Sequence, residues 1–465
     1  MVSFDPNRRV WATRAQSIVG LVDPPPLDGE LLIDKASCAA AAADFGHIVH
    51  REPEAVLRPG SHADIAAMVR FCDCHRIPVA ARGQGHSTYG QAQAPGGLVI
   101  DMSLLDTVHH VGEDHAVVDA GTRWSSLLAA TLARGLTPPV LTDYLELSVG
   151  GTLTVGGIGG ASGRYGAQAD NVRELEVVTA SGRRETCSPT RERGLFESVL
   201  SGLGQCAIIV RATVRLLPAP ASARRYKLYY RDLSTLTADQ RRVLADGRFG
   251  YVEGQVYADP SGGWGYMLDA AAFFTPPSPP DDAARLQDLR YERGSEEIVD
   301  LSYSDFLDRL APSVAYLKST GEWHHPHPWL NVFLPDSSTD AFVHGVLGTL
   351  TPEDIGPTGV VLLYPIKRER LCTPLLRVPD EPVIFLFTLL RTALPEPLAV
   401  ANMTGSNRML YDRARTVGGT AYPVGTIPFT HEDWQDHFGA AWTMLSEAKR
   451  HYDPRMVLTP GQGIF

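Results

Sequence analysis

The chain lacks an apolar run long enough to cross a membrane, and its basic residues form no dense cluster. A transmembrane helix needs about 20 predominantly apolar residues in succession, and nucleic-acid-binding surfaces concentrate Lys and Arg. The formal net charge of -11 also disfavours a partner rich in phosphate. We therefore expect no membrane insertion and no nucleic-acid binding.

Cysteine is scarce and scattered, with six residues that suggest no disulfide framework. Cys72, Cys74 and His75 lie close together, but apolar residues from Ile65 onward recur there at helical spacing, and no second Cys/His pair follows. Buried thiols on a helix are thus expected rather than a metal site. The N-terminal residues 1–26 also lack the apolar segment of a secretory signal, which predicts a cytoplasmic protein.

Glycine, by contrast, is abundant, with 43 residues. It concentrates in "RGQGHS" (82–87) and in "VGGTLTVGGIGGASGRYGAQADNV" (149–172). Glycine permits positive φ and lets the backbone approach a ligand closely. One such segment alone would indicate a tight turn, but two together favour a site for a long ligand with a pyrophosphate and a ring system. The second segment lacks the strand–GxGxxG–helix order of a dinucleotide fingerprint.

The apolar patterns predict an α+β protein whose composition and predicted elements change along the chain. Strands are predicted at 78–83, 97–103 and 116–121, a helix at 123–135 and a hairpin at 174–188. A proline-containing boundary near residue 217 separates residues 1–217 from an aromatic-rich region, 218–423, that predicts an antiparallel sheet with helices on one face. The segment 273–282 is expected to be loop.

The last segment is predicted to form one helix that begins with a capping box of Thr430 and Asp433. After it comes the glycine-rich tail "VLTPGQGIF". Because the tail is glycine-rich like residues 1–217, we expect residues 424–465 to return to that first region.

Several motifs, taken in order, resemble one known family. "PVAARGQGHSTYGQAQAPGGLVIDM" is similar to the flavin-attachment segment of the cytokinin oxidase/dehydrogenases, within the vanillyl-alcohol-oxidase-type (PCMH) FAD-linked oxidoreductases. "LTDYLELSVGGTLTVGGIGG", "YVEGQVY", "HPHPWLNVFLP" and "YDPRMVLTPGQGIF" are similar to the same family. The resemblance runs from about residue 50 to the C-terminus. It implies a two-lobed FAD-linked oxidase fold, a small-molecule substrate, and O2 or a quinone as electron acceptor.

The resemblance also implies how FAD is held. His86 matches the histidine that is bonded covalently to the flavin 8α-methyl group. Some relatives add a second bond through a cysteine, but the corresponding position near Tyr144 has none, so we expect a single covalent link. The other implied cofactor contacts are Arg82, Gly83, Gln84, Gly85, Ser87, Gln91, Gly150, Gly151, Thr152, Gly156, Gly157, Gly160 and Gln462.

The substrate side is implied by two carboxylates. Asp143 matches the base that accepts a proton from the substrate amine, and Glu253 matches a carboxylate at the pocket mouth that binds the substrate's ring nitrogens. Without the resemblance, each would be assigned as a solvated or capping carboxylate. Trp329, Leu310 and Gly425 match pocket positions.

A histidine run, His324, His325 and His327, is not expected to bind metal. The neighbouring prolines hold the run extended, so that successive side chains diverge.

The leading functional prediction is an enzyme: an FAD-dependent oxidoreductase that acts on a secondary amine of the N6-isopentenyladenine type. An alternative is a flavin-dependent oxidase or cyclase that tailors a secondary metabolite; in one form of this alternative the flavin has a non-redox structural role. It is favoured by Gly425, which stands where the family has a leucine covering the substrate. A non-enzymatic ligand-binding protein is disfavoured by the presence of both Asp143 and Glu253. The preference for arginine over lysine suits a bacterial source.

Overall fold

A computed structural model describes residues 2–13, 20–259, 262–356 and 358–465. Residues 14–19, part of the N-terminal stretch considered for a signal segment, lie outside the described residues. None of the helices within these ranges combines the length and the apolarity needed to span a bilayer.

The first half of the chain alternates short strands and helices. Its strands are β1 (Val2–Asp5), β2 (Val10–Thr13), β3 (Glu30–Leu32), β4 (Ala55–Arg58), β5 (Val79–Arg82), β6 (Leu98–Asp101), β7 (Val108–Val111), β8 (His115–Asp119), β9 (Leu136–Thr137), β10 (Val172–Thr179), β11 (Arg184–Cys187), β12 (Ala207–Arg215) and β13 (Leu217–Pro218). Its helices are α1 (Lys35–Ala42), α2 (His62–His75), α3 (Trp124–Leu132), α4 (Val149–Leu153), α5 (Ser162–Tyr165) and α6 (Arg193–Val199). The strands, helix and hairpin predicted in this half are confirmed.

Helix α2 shows how the local sequence sets these bounds. The hydroxyl of Ser61 accepts a hydrogen bond from the backbone N–H of Asp64 at its start, and Arg76 ends it in the left-handed conformation. Cys72 is buried on α2, as predicted, but Cys74 is exposed on the same helix, which corrects the expectation that both thiols are buried. All six cysteines are free.

Two sheets form the framework of this half. In the four-stranded sheet, ordered β3-β4-β6-β5, β6 pairs in parallel with both β4 and β5. The five-stranded sheet, ordered β11-β10-β12-β8-β7, is antiparallel. The chain end lies beside β5: the backbone N–H of Val79 donates to Val457, and that of Thr459 donates to Val79.

The second half is built on one eight-stranded sheet, ordered β17-β14-β16-β15-β19-β20-β18-β21, in which neighbouring strands are antiparallel. Its strands are β14 (Ser222–Tyr230), β15 (Tyr251–Ala258), β16 (Trp264–Phe274), β17 (Glu297–Ser302), β18 (Leu330–Pro335), β19 (Val360–Lys367), β20 (Val383–Leu390) and β21 (Thr420–Ala421). The helices are α7 (Leu233–Asp246), α8 (Asp282–Leu286), α9 (Tyr303–Leu307), α10 (Ala311–Thr320), α11 (Asp336–Leu347), α12 (Pro397–Thr416), α13 (His431–Phe438) and α14 (Trp442–Tyr452).

The two faces of this sheet have different neighbours, and strand β20 shows the division. Alternate residues from Phe385 to Leu389 belong to an apolar core that includes residues of α11. The intervening residues Leu386, Thr388 and Leu390 line a cavity on the opposite face. Since successive side chains of a strand point to opposite faces, one strand serves both the core and the cavity.

Two local predictions need correction. The C-terminal segment forms two helices, α13 and α14, because the chain turns at Gly439, whose φ is +50°. The capping box of Thr430 and Asp433 is confirmed. Phe273 and Phe274, which were expected in a loop, complete strand β16 because they pair with Ala223 and Ser222 of β14.

Candidate active site

A cavity of about 460 Å³ lies between the eight-stranded sheet and the two glycine-rich segments. The segments are far apart in the sequence, and the fold brings them to the same wall. Most of the predicted cofactor residues line it: Gly83, Gln84, Gly85, His86, Ser87, Gln91, Gly150, Gly151, Thr152, Gly157 and Gln462. Asp143, Glu253, Leu310 and Trp329 line the same cavity.

Arg82 and Gly425 lie behind the cavity wall instead of lining it. The Arg82 guanidinium donates a hydrogen bond of 2.5 Å to the carbonyl of Ala43, so it braces the first glycine segment. Gly425 is packed so closely that an added Cβ would lie 2.7 Å from the Trp329 carbonyl oxygen. Its neighbour Val424 lines the cavity.

Gly156 and Gly160 also support the wall from behind. A Cβ on Gly156 would lie 3.1 Å from a methyl carbon of Leu376, and one on Gly160 would lie 2.4 Å from the ring of Tyr251. The second glycine segment can therefore pack closely against other elements on the side away from the cavity. Motif position indicated these glycines, but it could not show which way each one faces.

His86 belongs to a column of stacked rings. Its imidazole lies 4.9 Å from the ring of Tyr144 and 4.0 Å from that of Phe45, and Phe45 stacks on His327 at 4.1 Å. Removal from water, followed by the influence of His327, lowers the pKa of His86 to about 3. The imidazole is therefore neutral at physiological pH, and the stack restricts its orientation.

The histidine run near this column does not form a metal site. His327 is buried, and Nε2 lies 3.4 Å from the carbonyl of Trp323. Among the residues that the structure describes, no group of three or more His, Cys, Asp or Glu side chains could hold a metal ion.

Asp44 holds the first glycine segment in place, a role that no sequence motif indicated. Its carboxylate accepts hydrogen bonds from the backbone N–H of Gly46 at 3.1 Å and of Gly90 at 2.7 Å, and from the Ser87 hydroxyl at 3.4 Å. Asp44 thus holds the segment at Ser87 and Gly90, after His86, while the bond from Arg82 to Ala43 holds it before the histidine.

The two predicted carboxylates meet in one cluster at the cavity wall. The Arg309 guanidinium lies 2.7 Å from Asp143 Oδ1 and 3.6 Å from Glu253 Oε2. The Tyr251 hydroxyl donates a hydrogen bond of 2.7 Å to Asp143 and is also bonded by Arg309. Glu253 hydrogen-bonds to Asp143. Asp143 and Glu253 are therefore a coupled pair that shares one cation.

The cluster pushes the pKa values of its two carboxyl groups apart. Burial and the charge of Asp143 raise the pKa of Glu253 well above its usual value. Burial opposes ionisation of Asp143 as well, but attraction to Arg309 and hydrogen bonds from Glu253, Tyr251 and Arg309 lower its pKa overall. The cluster therefore favours an ionised Asp143, which can accept a proton, beside a Glu253 that retains its proton more readily and donates a hydrogen bond to Asp143.

The structure changes the predicted position of Glu253 and adds two residues. Glu253 is only 2% exposed, so it lies inside the wall and not at a mouth. Arg309 and Tyr251 were missed because they come from distant parts of the chain, the segment after α9 and the start of β15, and neither forms a motif with Asp143 in the sequence.

Among the buried polar side-chain atoms that have no hydrogen-bond partner in the described residues, three belong to residues of the cavity: Glu253 Oε1, Asn331 Nδ2 and Thr388 Oγ1. All three residues line the cavity, from strands β15, β18 and β20. An unpaired buried polar group costs about 1–3 kcal/mol, so native structures seldom keep one without a role. These atoms mark where a polar ligand would bind.

The cavity residues fit FAD. Gly85 and Gly157 have φ values of +67° and +77°, a conformation that favours glycine, so these turns present backbone to the cavity where a bulkier residue would be strained. The lining continues from Ala207 and Gln462 to Thr388 on the large sheet, which suits an elongated ligand. The tail residue Gln462 closes one side.

Family comparisons agree with this geometry. The family model described as "FAD binding domain" matches residues 53–188, and the one described as "Cytokinin dehydrogenase 1, FAD and cytokinin binding" matches residues 266–465. An uncharacterized oxidoreductase, ORF5 in the fasciation locus of Rhodococcoides fascians, is 44% identical over 92% of this chain and 97% of its own length. Cytokinin dehydrogenase 10 of Oryza sativa subsp. japonica is 38% identical over 93% of this chain and 88% of its own.

A solved structure shows the same two-lobed fold. The crystal structure of 6-hydroxy-D-nicotine oxidase from Arthrobacter nicotinovorans superposes with a TM-score of 0.72, at 20% identity, over 93% of this chain and 96% of that chain. The matched FAD-binding model, the glycine-lined cavity and the full-length relatives lead to one assignment: the chain is an FAD-linked oxidase or dehydrogenase that belongs to the cytokinin dehydrogenase family.

Proposed function

We propose that this enzyme oxidises a secondary amine of the N6-isopentenyladenine type at the carbon next to the amine nitrogen. FAD, when bound, supplies the hydride acceptor at its N5 position. Asp143 takes the proton from the amine nitrogen, and the resulting imine hydrolyses to an amine and an aldehyde. The observation that carries the proposal is the cluster on the wall of the FAD-binding cavity, in which Arg309 and Tyr251 bond to Asp143 beside the buried Glu253.

The unpaired polar atoms support a heteroaromatic substrate. Glu253 donates its carboxyl proton to Asp143, so its unpaired Oε1 can accept a hydrogen bond from a ring N–H. Asn331 Nδ2 can donate to a ring nitrogen, and Thr388 Oγ1 can donate or accept. Apolar side chains, including those of Leu310 and Leu390, line the same cavity and suit an isopentenyl group. A ring with alternating donors and acceptors on a short apolar chain fits both features.

The test is an anaerobic titration of the purified yellow protein with N6-isopentenyladenine, followed by flavin absorbance near its visible maximum. We expect stoichiometric bleaching. Adenine, which lacks the oxidisable side chain, is the matched control and should leave the flavin yellow. Lack of bleaching by N6-isopentenyladenine at saturating concentration would reject the substrate class.

The alternative of a tailoring enzyme for a secondary metabolite loses its structural argument. That argument was a pocket enlarged at Gly425, but Gly425 is packed against the Trp329 carbonyl and Val424 lines the cavity. Titration with polyketide-like alcohols and sugars extends the same experiment to this alternative. Comparing reoxidation by O2 and by a quinone would identify the electron acceptor.

We further propose a single covalent link between His86 and the flavin. The stacked, neutral imidazole supports a nucleophilic role, and Tyr144 in the same ring column stands where a second link would need cysteine. Acid-precipitated protein should therefore stay yellow, whereas His86→Ala should release all its colour.

The low pKa of His86 predicts how attachment depends on pH. Its imidazole stays neutral down to a pKa of about 3, so covalent incorporation into apo-protein should change less than about twofold between pH 5.5 and pH 8. A histidine with an ordinary pKa near 6.5 would be protonated at pH 5.5 and would lose about tenfold. Fluorescence of the acid-denatured protein measures the attached flavin, and a tenfold fall at pH 5.5 would contradict the prediction.

A further inference from the structure

A second, smaller cavity of about 70 Å³ lies behind the carboxylate cluster. Thr142, Asp143 and Arg309 line both this cavity and the large one, so the cluster forms the wall between them. We call the smaller cavity the rear passage. No role in substrate or cofactor binding accounts for it.

The rear passage leads from the buried cluster toward the surface. Tyr251 is 3% exposed and marks its inner end, whereas Pro218 of β13 is exposed and lines it at the outer end. Half-buried Ala161 and Leu217 also line it. Asp143 and the exposed Pro218 therefore line one cavity, and Pro218 does not line the large one.

The rear passage can hold water. A water molecule needs at least about 10–15 Å³ of accessible volume and two or more polar partners, so 70 Å³ accommodates a short file of molecules. Polar atoms occur along it: the Tyr251 hydroxyl bonds to Asp143, and the hydroxyls of Thr137 and Tyr303 lie 3.2 Å apart. The other lining residues include prolines and apolar side chains, which confine the water molecules to the passage.

The proposed reaction creates a need for such a route. Each turnover leaves a proton on Asp143, and the front of Asp143 then faces substrate and cofactor. A proton that stayed there would leave the base unable to act again. The rear side of Asp143 is the surface that substrate does not cover.

We propose that the rear passage carries the substrate-derived proton from Asp143 to solvent through a file of water molecules. This inference rests on the proposed function. In the step, the hydride leaves the substrate carbon for FAD, the N–H electron pair forms the C=N bond, and the proton moves to Asp143. Asp143 then gives that proton to the first water of the file, and a proton leaves the last water to bulk solvent, which restores the carboxylate.

Ala161→Leu tests the rear passage by filling it. Ala161 belongs to the second glycine-rich segment, but it lines the passage and not the large cavity, and it is not part of the carboxylate cluster. In stopped-flow experiments with N6-isopentenyladenine in weak buffer, we expect bleaching within about twofold of the parent, with proton release delayed about tenfold or more behind it. A pH-indicator dye reports release. Ala129→Leu, the same change at an exposed position of α3, should behave like the parent.

The outcomes separate the two proposals. Proton release that keeps pace with bleaching in Ala161→Leu overturns the rear passage and leaves the proposed function intact, whereas a parent that does not bleach overturns the function. If Ala161→Leu fails to fold, Thr137→Val removes one hydroxyl at nearly constant volume and should also delay release. A crystal structure gives a readout without substrate: ordered waters between Asp143 and Pro218 are expected, and a dry passage refutes the proposal.

Discussion

Asp143→Asn is expected to lower kcat by about 10²- to 10⁴-fold, the range by which general base catalysis contributes. Asparagine keeps the size of the side chain, and its oxygen can still accept hydrogen bonds from Tyr251 and Arg309. Folding and flavin content should therefore be unchanged. Anaerobic bleaching by N6-isopentenyladenine measures the chemical step directly, and absorbance of the acid-denatured protein measures the flavin.

Glu253→Gln is the matched control. Burial and the charge of Asp143 raise the pKa of Glu253 and so favour its neutral form. Glutamine retains a neutral hydrogen-bonding side chain there, and the loss should stay below about tenfold. Equal losses in the two variants would contradict the assignment of Asp143 as base. Two coupled carboxyl groups titrate as a pair, so this comparison is more informative than either variant alone.

The double variant refines the prediction. Without the charge of Asp143, Glu253 has only the cation Arg309 beside it, at 3.6 Å, and its pKa should fall. Glu253 can then ionise and act as a weaker substitute base in Asp143→Asn. Residual activity of Asp143→Asn should accordingly disappear in Asp143→Asn/Glu253→Gln, a non-additive result that a purely structural role of Asp143 would not produce.

The strands of the large sheet were predictable because each carries a local signal. Runs such as "VIFLFTLL" and "YVEGQVY" have the length and the β-branched or aromatic content of strands, and they form β20 and β15. The same strands supply the cavity wall through alternation, so Glu253 and Gln255, two positions apart, both line it. The two-residue alternation of a strand therefore predicts which side chains share a face of the sheet, as well as where the strand lies.

Contacts between distant elements were not predictable in this way. Arg309 follows α9, Tyr251 begins β15 and Asp143 lies in a loop, and only folding brings their side chains within hydrogen-bond distance. The direction in which a residue of a glycine-rich segment points could not be predicted from the sequence either. Gly425 occupies a pocket position by motif, but the direction of its missing side chain, toward the Trp329 carbonyl, depends on how the chain packs.

Lys449→Met is expected to reduce the free energy of unfolding by about 3–5 kcal/mol, as found when one partner of a buried ion pair is removed. Lys449 and Asp453 are 1% and 0% exposed, and their charged atoms lie 2.7 Å apart. The ammonium also donates hydrogen bonds of 3.0 Å to the carbonyls of Gln205 and Leu458. Methionine preserves the length and apolar contacts but leaves the Asp453 carboxylate buried without its cation.

The exposed ion pair between Arg455 and Asp73, at 2.9 Å, offers a control in the same segment. Arg455→Met should cost less than about 1 kcal/mol, because solvent screens exposed pairs. Urea unfolding followed by tryptophan fluorescence measures both variants. Similar small losses would show that the Lys449–Asp453 pair is not desolvated as the fold requires.

The effect of Lys449→Met should extend to the cofactor, because the pair anchors the segment that completes the cavity. Asp453 accepts hydrogen bonds from the backbone N–H groups of Val457 and Leu458, and the chain then supplies Thr459 and Gln462 to the cavity wall. Removing the charge at residue 453 as well, in Lys449→Met/Asp453→Asn, should recover part of the stability by relieving the unpaired carboxylate. Recovery should be incomplete, since the hydrogen bonds from the ammonium to two carbonyls stay lost. FAD retention is measured by gel filtration in a His86→Ala background, where no covalent bond holds the cofactor. If Lys449→Met/Asp453→Asn regains full stability but still loses FAD in that background, the ion pair acts on the cofactor site more than on the fold.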